Sequence, residues 1–229
     1  MLEFSKRSKQ KELLDMEGIP WKDIQQNLKE LNFINTYLGG HGITVAGVSK
    51  WKGNQSLRIA EIGCGGGDNL DAIHKFLQKR NVQQQLIGID IKKECIHFGK
   101  TQNPTFEWIC GDYRHTHFNT KPDIIFSSLF CHHFTDDELV EQIQWMKDHS
   151  VQGFFINDLH RHPFAYYAIK FLTHVFSKSY LVKNDAPLSV ARSFVKNDWK
   201  RLFEKAGIQN VTIEWKWAFR YLITFKHAY

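Results

Sequence analysis

The residues best suited to chemistry fall into two groups. The first is the run Leu57-Arg58-Ile59-Ala60-Glu61-Ile62-Gly63-Cys64-Gly65-Gly66-Gly67-Asp68. Its first half is largely apolar and reads as a buried strand, and from Asp68 onward Leu70, Ile73, Phe76 and Leu77 keep helical spacing. Four glycines in the five positions between bring bare backbone N–H groups up to a ligand, where a side chain would hold it off. Asp68 stands where a helix N-cap is expected. The dinucleotide fingerprint G-x-G-x-x-G does not fit, because its sixth position, counted from Gly63, is Asp68. The second group is His132, His133, His160 and His162, together with Asp158. Imidazole changes charge near neutral pH, and a neighbouring carboxylate can fix its orientation.

An open α/β sheet gathers such residues beyond the carboxyl ends of its strands. From Ser56 the chain alternates strand and helix in that manner. Leu86 to Asp90 is a second buried strand closed by an acid, followed by a helix over Lys93 to Lys100. Thr105 to Cys110 is a third, closed by Gly111-Asp112, and Asp123 to Leu129 a fourth, leading into Phe130-Cys131-His132-His133-Phe134. Thr135-Asp136-Asp137-Glu138 opens a helix in the manner of a capping box. Gly153 to Asp158 is a fifth strand, running into Leu159-His160-Arg161-His162-Pro163. An aromatic helix to Phe176 follows, then a linker containing Asn184-Asp185-Ala186-Pro187 and a helix from Val195 to Ala206. Val211 to Trp217 and Arg220 to Lys226 read as an antiparallel hairpin at the sheet edge. Ahead of the sheet, Ser5 to Glu17 reads as a loose polar helix. Trp21 to Leu38 reads as an amphipathic one, opened by Pro20 in its first turn and ended by Gly39-Gly40.

Four features occur in order at corresponding strand ends: Glu61-x-Gly63-x-Gly65-x-Gly67, Asp90, Gly111-Asp112 and Leu129-Phe130-Cys131-His132-His133-Phe134. Together they resemble the class I S-adenosylmethionine (SAM)-dependent methyltransferases of the small-molecule group, over roughly Ser56 to Asp158. The resemblance implies an α/β fold: a Rossmann-like, seven-stranded, mostly parallel sheet with an antiparallel last strand, helices on both faces, an N-terminal helical cap and a lid insertion after strand five. It implies one domain over 1–229, divided into a cap (1–55), a cofactor-binding core (56–162), lid and substrate helices (163–206) and a terminal hairpin (207–229). It implies that Glu61, Gly63, Cys64, Gly65, Asp90, Ile91, Gly111, Asp112, Tyr113, Ser128 and Leu129 hold SAM and its product S-adenosylhomocysteine (SAH). Asp90 would accept both ribose hydroxyls. Asp112 would accept the adenine amino group, with Tyr113 against the ring. Glu61 would meet the SAM amino group, or pair instead with a nearby donor that holds the turn. Asn35, Tyr37 and His41 are candidate cap residues over the cofactor.

Methyl transfer asks chiefly that a nucleophile be aligned ~3–3.5 Å from an already activated methyl and that water be excluded. An oxygen nucleophile also gains from a base. His160 is the favoured base and His132 the second, with Asp158 as the orienting acid. His133, Phe164, Tyr167 and Arg192 are candidate substrate contacts, and Tyr166 and Phe171 extend the aromatic wall. The expected reaction is O-methylation of a hydrophobic small molecule, phenolic or polyketide-like, an aromatic or lipid-like partner. No metal is expected, because consecutive histidines point apart and no helical i, i+4 pair exists.

Composition bounds the alternatives. With 229 residues, 42% apolar and 24% charged, the chain has the make-up of a globular protein with a full-sized core. No apolar stretch reaches the ~18–20 residues that span a bilayer. Met1 to Lys11 lacks the apolar core of a secretory signal, and the four scattered cysteines read as free thiols, so a cytoplasmic location is expected. The net charge of +6 falls within Arg161 to Lys205, where nine Lys/Arg meet three acids. That excess suits an anionic partner or a solvated basic face. RNA or protein methylation is the rival within the enzyme class. It is disfavoured because Ser127-Ser128-Leu129-Phe130 is not an amine-binding Asn-Pro-Pro-Tyr type and no RNA-binding domain is appended. A SAM-binding regulatory protein without catalysis is the rival outside it. The oligomeric state is left open.

Overall fold

Strands that are apolar on both faces have to be covered on both faces. The computed structural model, which describes residues 4–51 and 56–228, meets that demand with a seven-stranded sheet between two helical layers. The strands are β1 (Ser56–Ile62), β2 (Gln83–Asp90), β3 (Glu107–Cys110), β4 (Ile124–Ser128), β5 (Gly153–Leu159), β6 (Thr212–Lys216) and β7 (Arg220–Lys226), in the spatial order β3-β2-β1-β4-β5-β7-β6. The first five run parallel, and β7 runs antiparallel between β5 and β6. The helices are α1 (Trp21–Tyr37), α2 (Gly40–Val48), α3 (Asp68–Gln78), α4 (Lys93–Gln102), α5 (Asp136–His149), α6 (Pro163–Phe176), α7 (Tyr180–Arg192) and α8 (Lys196–Lys205). Ile59, Ile124, Phe126 and Phe155 pack one face of the sheet against α2 and α3 through Ile43, Val48, Leu70, Ile73 and Leu77. Ile62, Ile87, Ile125 and Ile156 pack the other against Leu139, Ile143 and Met146 of α5 and Trp199 and Leu202 of α8. Strand order reverses between β1 and β4, so the turns after β1, β2 and β4 leave the sheet side by side.

Four local expectations change. Residues 5–17 are not a helix. They form an extended strap with a single 3-10 turn, Leu13–Asp15. Too few apolar side chains are present to bury a helical face, and the strap takes its bonds from the body of the protein instead. Leu13 and Leu14 donate their N–H groups to the Asp185 carboxylate at 2.8 and 2.9 Å, and the Arg7 guanidinium reaches Asp136 at 2.8 Å. The expected linker at Asn184 to Pro187 is the middle of α7, with Pro187 inside the helix. Its turn-forming residues are overruled by packing, since α7 fills the space between α6, α1 and the strap. Gly39 ends α1 in the left-handed conformation (φ 77°) as glycine can, but the chain restarts at once as α2. Pro20 is the cap residue before α1, and Gly67 (φ 77°), not Asp68, caps α3.

Four of the nine basic side chains counted above have partners within the protein. Arg161 and Arg192 are buried, Arg201 pairs with Asp136 and Asp198, and Lys205 stands 3.9 Å from Asp137. Residues 1–3, 52–55 and 229 of the expected cap and hairpin lie outside the described residues. Among those described, no helix is long and apolar enough to cross a membrane.

Candidate active site

A cavity of about 1120 Å³ lies at the carboxyl ends of the strands, walled by α1, α6, α7 and the strap. At its floor the glycine turn needs glycine for two separate reasons. Gly63, Gly65 and Gly67 have φ of 66°, 51° and 77°, and a Cβ on Gly63 would stand 2.1 Å from the Phe130 ring. Asp90 fastens the turn: its Oδ2 accepts from Gly65 N at 2.8 Å and its Oδ1 from Lys92 N at 2.9 Å. Burial raises its pKa against the pull of those two bonds, and each oxygen keeps a lone pair for a ligand. At the end of β4, Leu129 is held at φ 53°, a conformation that costs a non-glycine residue energy and recurs at functional sites.

Two buried ionisable side chains line this cavity with unused hydrogen-bonding capacity. Glu61 is fully buried in β1, and among the described residues no donor meets either carboxylate oxygen in hydrogen-bond geometry. Burial, and then the charges of Asp68 and Asp90, push its pKa well above the ordinary carboxylate range, with the neighbouring Asn69 side chain offsetting a little. Arg220, at the start of β7, is buried with its Nη1 unpartnered, and burial lowers its pKa to about 10. Its Nη2 donates to Asn35 Oδ1 at 2.9 Å. Asn35 Nδ2 donates to Asp68 Oδ2 at 2.9 Å, and His41 Nε2 meets the same oxygen at 2.8 Å. Burial works against the Asp68 charge, but His41 and Asn35 hold its pKa below the ordinary value. Tyr37, the third cap candidate, is exposed and packs at a tilt against Phe33.

Cys64, Ile91, Gly111, Asp112, Tyr113 and Ser128 also line the cavity. Asp112 accepts from Arg114 N at 2.9 Å and from the Arg114 guanidinium, which holds its pKa low and ties it into a turn. The Tyr113 ring is packed edge-on against Phe130, Phe134 and Trp145.

The histidine rim resolves differently from expectation. His160 is not on the cavity wall; its Nδ1 accepts from Trp215 Nε1 at 3.2 Å, and its ring stacks on Phe219. Asp158 holds His132 instead, with Nδ1 2.8 Å from Asp158 Oδ1. Burial works against the Asp158 charge, but His132 beside it keeps the pKa below the ordinary value. His132 and His133 do not point apart. In their 3-10 turn the rings lie 4.5 Å apart at an interplanar angle of 31°, and the Nε2 atoms stand 3.5 and 3.8 Å from the two oxygens of Glu12. Burial works against a charged His133, but the Asp15 hydrogen bond and the Glu12 and Asp15 charges raise its pKa. Arg192 lines the cavity yet is spent as a clamp, donating to the carbonyls of His132, His133 and Gln10. Phe164 lines the cavity, whereas Tyr167 packs on Phe4 and Tyr166 outside it.

Sequence reasoning missed Glu12, Asp15 and Arg220. Arg220 carries a signal, a cation at the head of the run Tyr221 to Phe225, which is apolar but for Thr224. Glu12 and Asp15 sit in a polar stretch with none.

No functionally curated protein matches the chain. Residues 59–153 match the family described as the methyltransferase domain. Among solved structures the chain is similar to human N-acetylserotonin methyltransferase in complex with SAM (TM-score 0.65, 12% identity, 92% of this chain and 57% of that one). It is also similar to the plantazolicin methyltransferase in complex with a triazolic desmethyl analogue and SAH (0.63, 20%, 84% and 72%). A candidate O-methyltransferase from Nostoc punctiforme gives 0.60 at 10% identity, over 87% of this chain and 60% of that one. The chain thus spans less than two thirds of the length of two of these proteins. At such identities the likeness is one of fold. Strand order, glycine turn and domain match agree: residues 59–153 match a methyltransferase domain, and they are set within a Rossmann-like fold shared with those solved methyltransferases.

Proposed function

We propose that the chain binds SAM in this cavity and directs its methyl group to an oxygen of a hydrophobic small molecule, phenolic or polyketide-like. The observation that carries the reading is the pair of buried ionisable groups of opposite sign, Glu61 and Arg220, each with unsatisfied hydrogen-bonding atoms and lining one cavity beside the glycine turn. Such groups are costly unless a ligand completes them. The zwitterionic end of an amino acid does so, with its ammonium toward Glu61 and its carboxylate toward Arg220. Asp90 has lone pairs left for two ribose hydroxyls, and exposed Ile91 with Gly111 and Asp112 offers an edge for the base. When bound, SAM supplies a methyl group already activated on a sulfonium.

The chain has then to hold an acceptor and keep water out. Phe164, Ile169 and Leu172 of α6 give the apolar wall for it. Activation of the acceptor oxygen is assigned to His132, the imidazole that Asp158 orients, in place of His160. A concave cavity of about 1120 Å³ and the burial of Arg161 and Arg192 both argue for a small acceptor over a nucleic acid.

Calorimetric titration with SAH, and transfer of labelled methyl from SAM to a panel of phenols, test the reading. SAH is expected to bind, Asp90→Ala to abolish binding, and Arg220→Met to weaken it at least tenfold. His132→Ala keeps SAH affinity and loses ~10²-fold or more in turnover, while His160→Ala stays near wild type. Absence of heat at millimolar SAH removes the whole proposal. Equal turnover in the His132 variant removes that residue from it.

A further inference from the structure

We propose that Glu12, His132 and His133 are the protein ligands of a divalent first-row transition cation on the wall of the cavity. Glu12 Oε1 lies 3.5 Å from His132 Nε2, and Glu12 Oε2 lies 3.8 Å from His133 Nε2. Both separations are too long for hydrogen bonds. They suit donors that share one ion about 2.0–2.2 Å from each, for which neighbouring ligand atoms stand roughly 3–3.6 Å apart. The three donor atoms lie within 4.8 Å of one another, so closure on an ion needs only small side-chain movements.

The far nitrogen of each ring is taken by a further carboxylate. His132 Nδ1 is 2.8 Å from Asp158 Oδ1, and His133 Nδ1 is 3.1 Å from Asp15 Oδ1. Metal-binding imidazoles have their other nitrogen fixed in this way, which sets the tautomer and leaves Nε2 to bind. Ser189 Oγ donates to Glu12 Oε1 at 2.9 Å and fixes the third ligand similarly. Three carboxylates therefore touch the two imidazoles. Two guanidiniums lie nearby: Arg192 reaches Glu12 and Asp15 only at 3.8 and 4.0 Å, and Arg7 donates to the His132 carbonyl at 3.3 Å. Two imidazole nitrogens and a carboxylate oxygen form the donor set of open zinc sites and of two-histidine, one-carboxylate sites. All three residues line the cavity, which leaves a further coordination position open to it. Binding of the cation is independent of SAM and occupies the same His132 Nε2 that serves as base in the proposed transfer, so the base role belongs to the cation-free protein; only a role toward the acceptor would rest on the methyltransferase reading.

The full chain, stripped by chelator and desalted, is titrated with ZnCl2 and with MnCl2 by calorimetry, and bound metal is counted after gel filtration. One equivalent of at least one of the two ions is expected. Glu12→Gln and His133→Gln should each weaken binding at least tenfold. Asp15→Asn, which touches only the rear nitrogen of His133, should weaken it about 10–100-fold, and His160→Ala should leave it unchanged. Circular dichroism checks that each variant folds. Loss of affinity in His160→Ala, or one-to-one binding that survives both Glu12→Gln and His133→Gln, overturns the site. A parallel SAH titration separates the two proposals: SAH binding without stoichiometric metal overturns the cation site and leaves the cofactor reading standing.

Discussion

Glu61 shows what a single residue contributes before any ligand arrives. Its pKa in the folded chain lies above the ordinary value of 4.5, so the folded state holds that proton more tightly than the unfolded state does. Its effect on stability is therefore harmless below pH ~4.5. It turns into a loss as the pH rises from there toward the folded pKa. Glu61→Gln is expected to raise the melting temperature of the ligand-free chain at neutral pH and to flatten its dependence above pH ~4.5. The same change should weaken SAM at least tenfold. In wild type, a bound ammonium favours the ionised carboxylate, so SAM binding should release a proton, visible as a heat that differs between buffers of unlike ionisation enthalpy. Equal heats in such buffers, with an unchanged melting curve for the variant, would refute this account.

At the scale of elements, the strap and α6–α8 hold the site together through arginines as well as through a small apolar cluster of Phe4, Ala165, Tyr166, Val190 and Ala191. Arg161, just after β5, donates to the carbonyls of Phe4 and Ser193 and pairs with Asp198 of α8 at 3.0 Å, all nearly out of reach of solvent. Removing one partner of a buried ion pair leaves the other charge uncompensated, at about 3–5 kcal/mol. Arg161→Met is expected to lower the melting temperature by roughly 10 °C, on the basis of ~2–4 °C per kcal/mol for chains of this size. Its folded fraction should still bind SAH, because Arg161 does not line the cavity. A melting temperature within 2–3 °C of wild type, about the effect of 1 kcal/mol, would show that the arginine holds nothing together.

For the whole molecule, the cavity joins elements from both ends of the chain: strap, α1, the turns after β1, β2 and β4, α6, α7 and the start of β7. A ligand that bridges them stabilises the folded state by mass action, about 2.7 kcal/mol at a hundred times its Kd. That corresponds to a rise of roughly 5–10 °C in the melting temperature with saturating SAH. The rise should vanish in Asp90→Ala. A shift of equal size in that variant would mean that SAH acts elsewhere on the protein.

The amino-acid sequence alone determined the sheet and its cofactor end. The alternation of strands and helices, the glycine turn, Asp90 at the tip of β2 and the capping box of α5 are all local in the chain. Period, propensity and turn chemistry act over a few residues, so the same few residues display them. The identity of the oriented histidine was not legible. His132 and His160 both follow apolar strands, and only the packed sheet places Asp158 beside His132 and Trp215 beside His160. Nor could Glu12 and Asp15 be read as site residues, because their partners His132 and His133 lie more than 115 positions away and meet them through a strap with no periodicity. Arg220 shows the same limit from the other end of the chain, facing Asn35 across the molecule. Charge and hydrogen-bond partners of this kind are fixed by the packing of segments remote in sequence, which the tertiary structure alone decides.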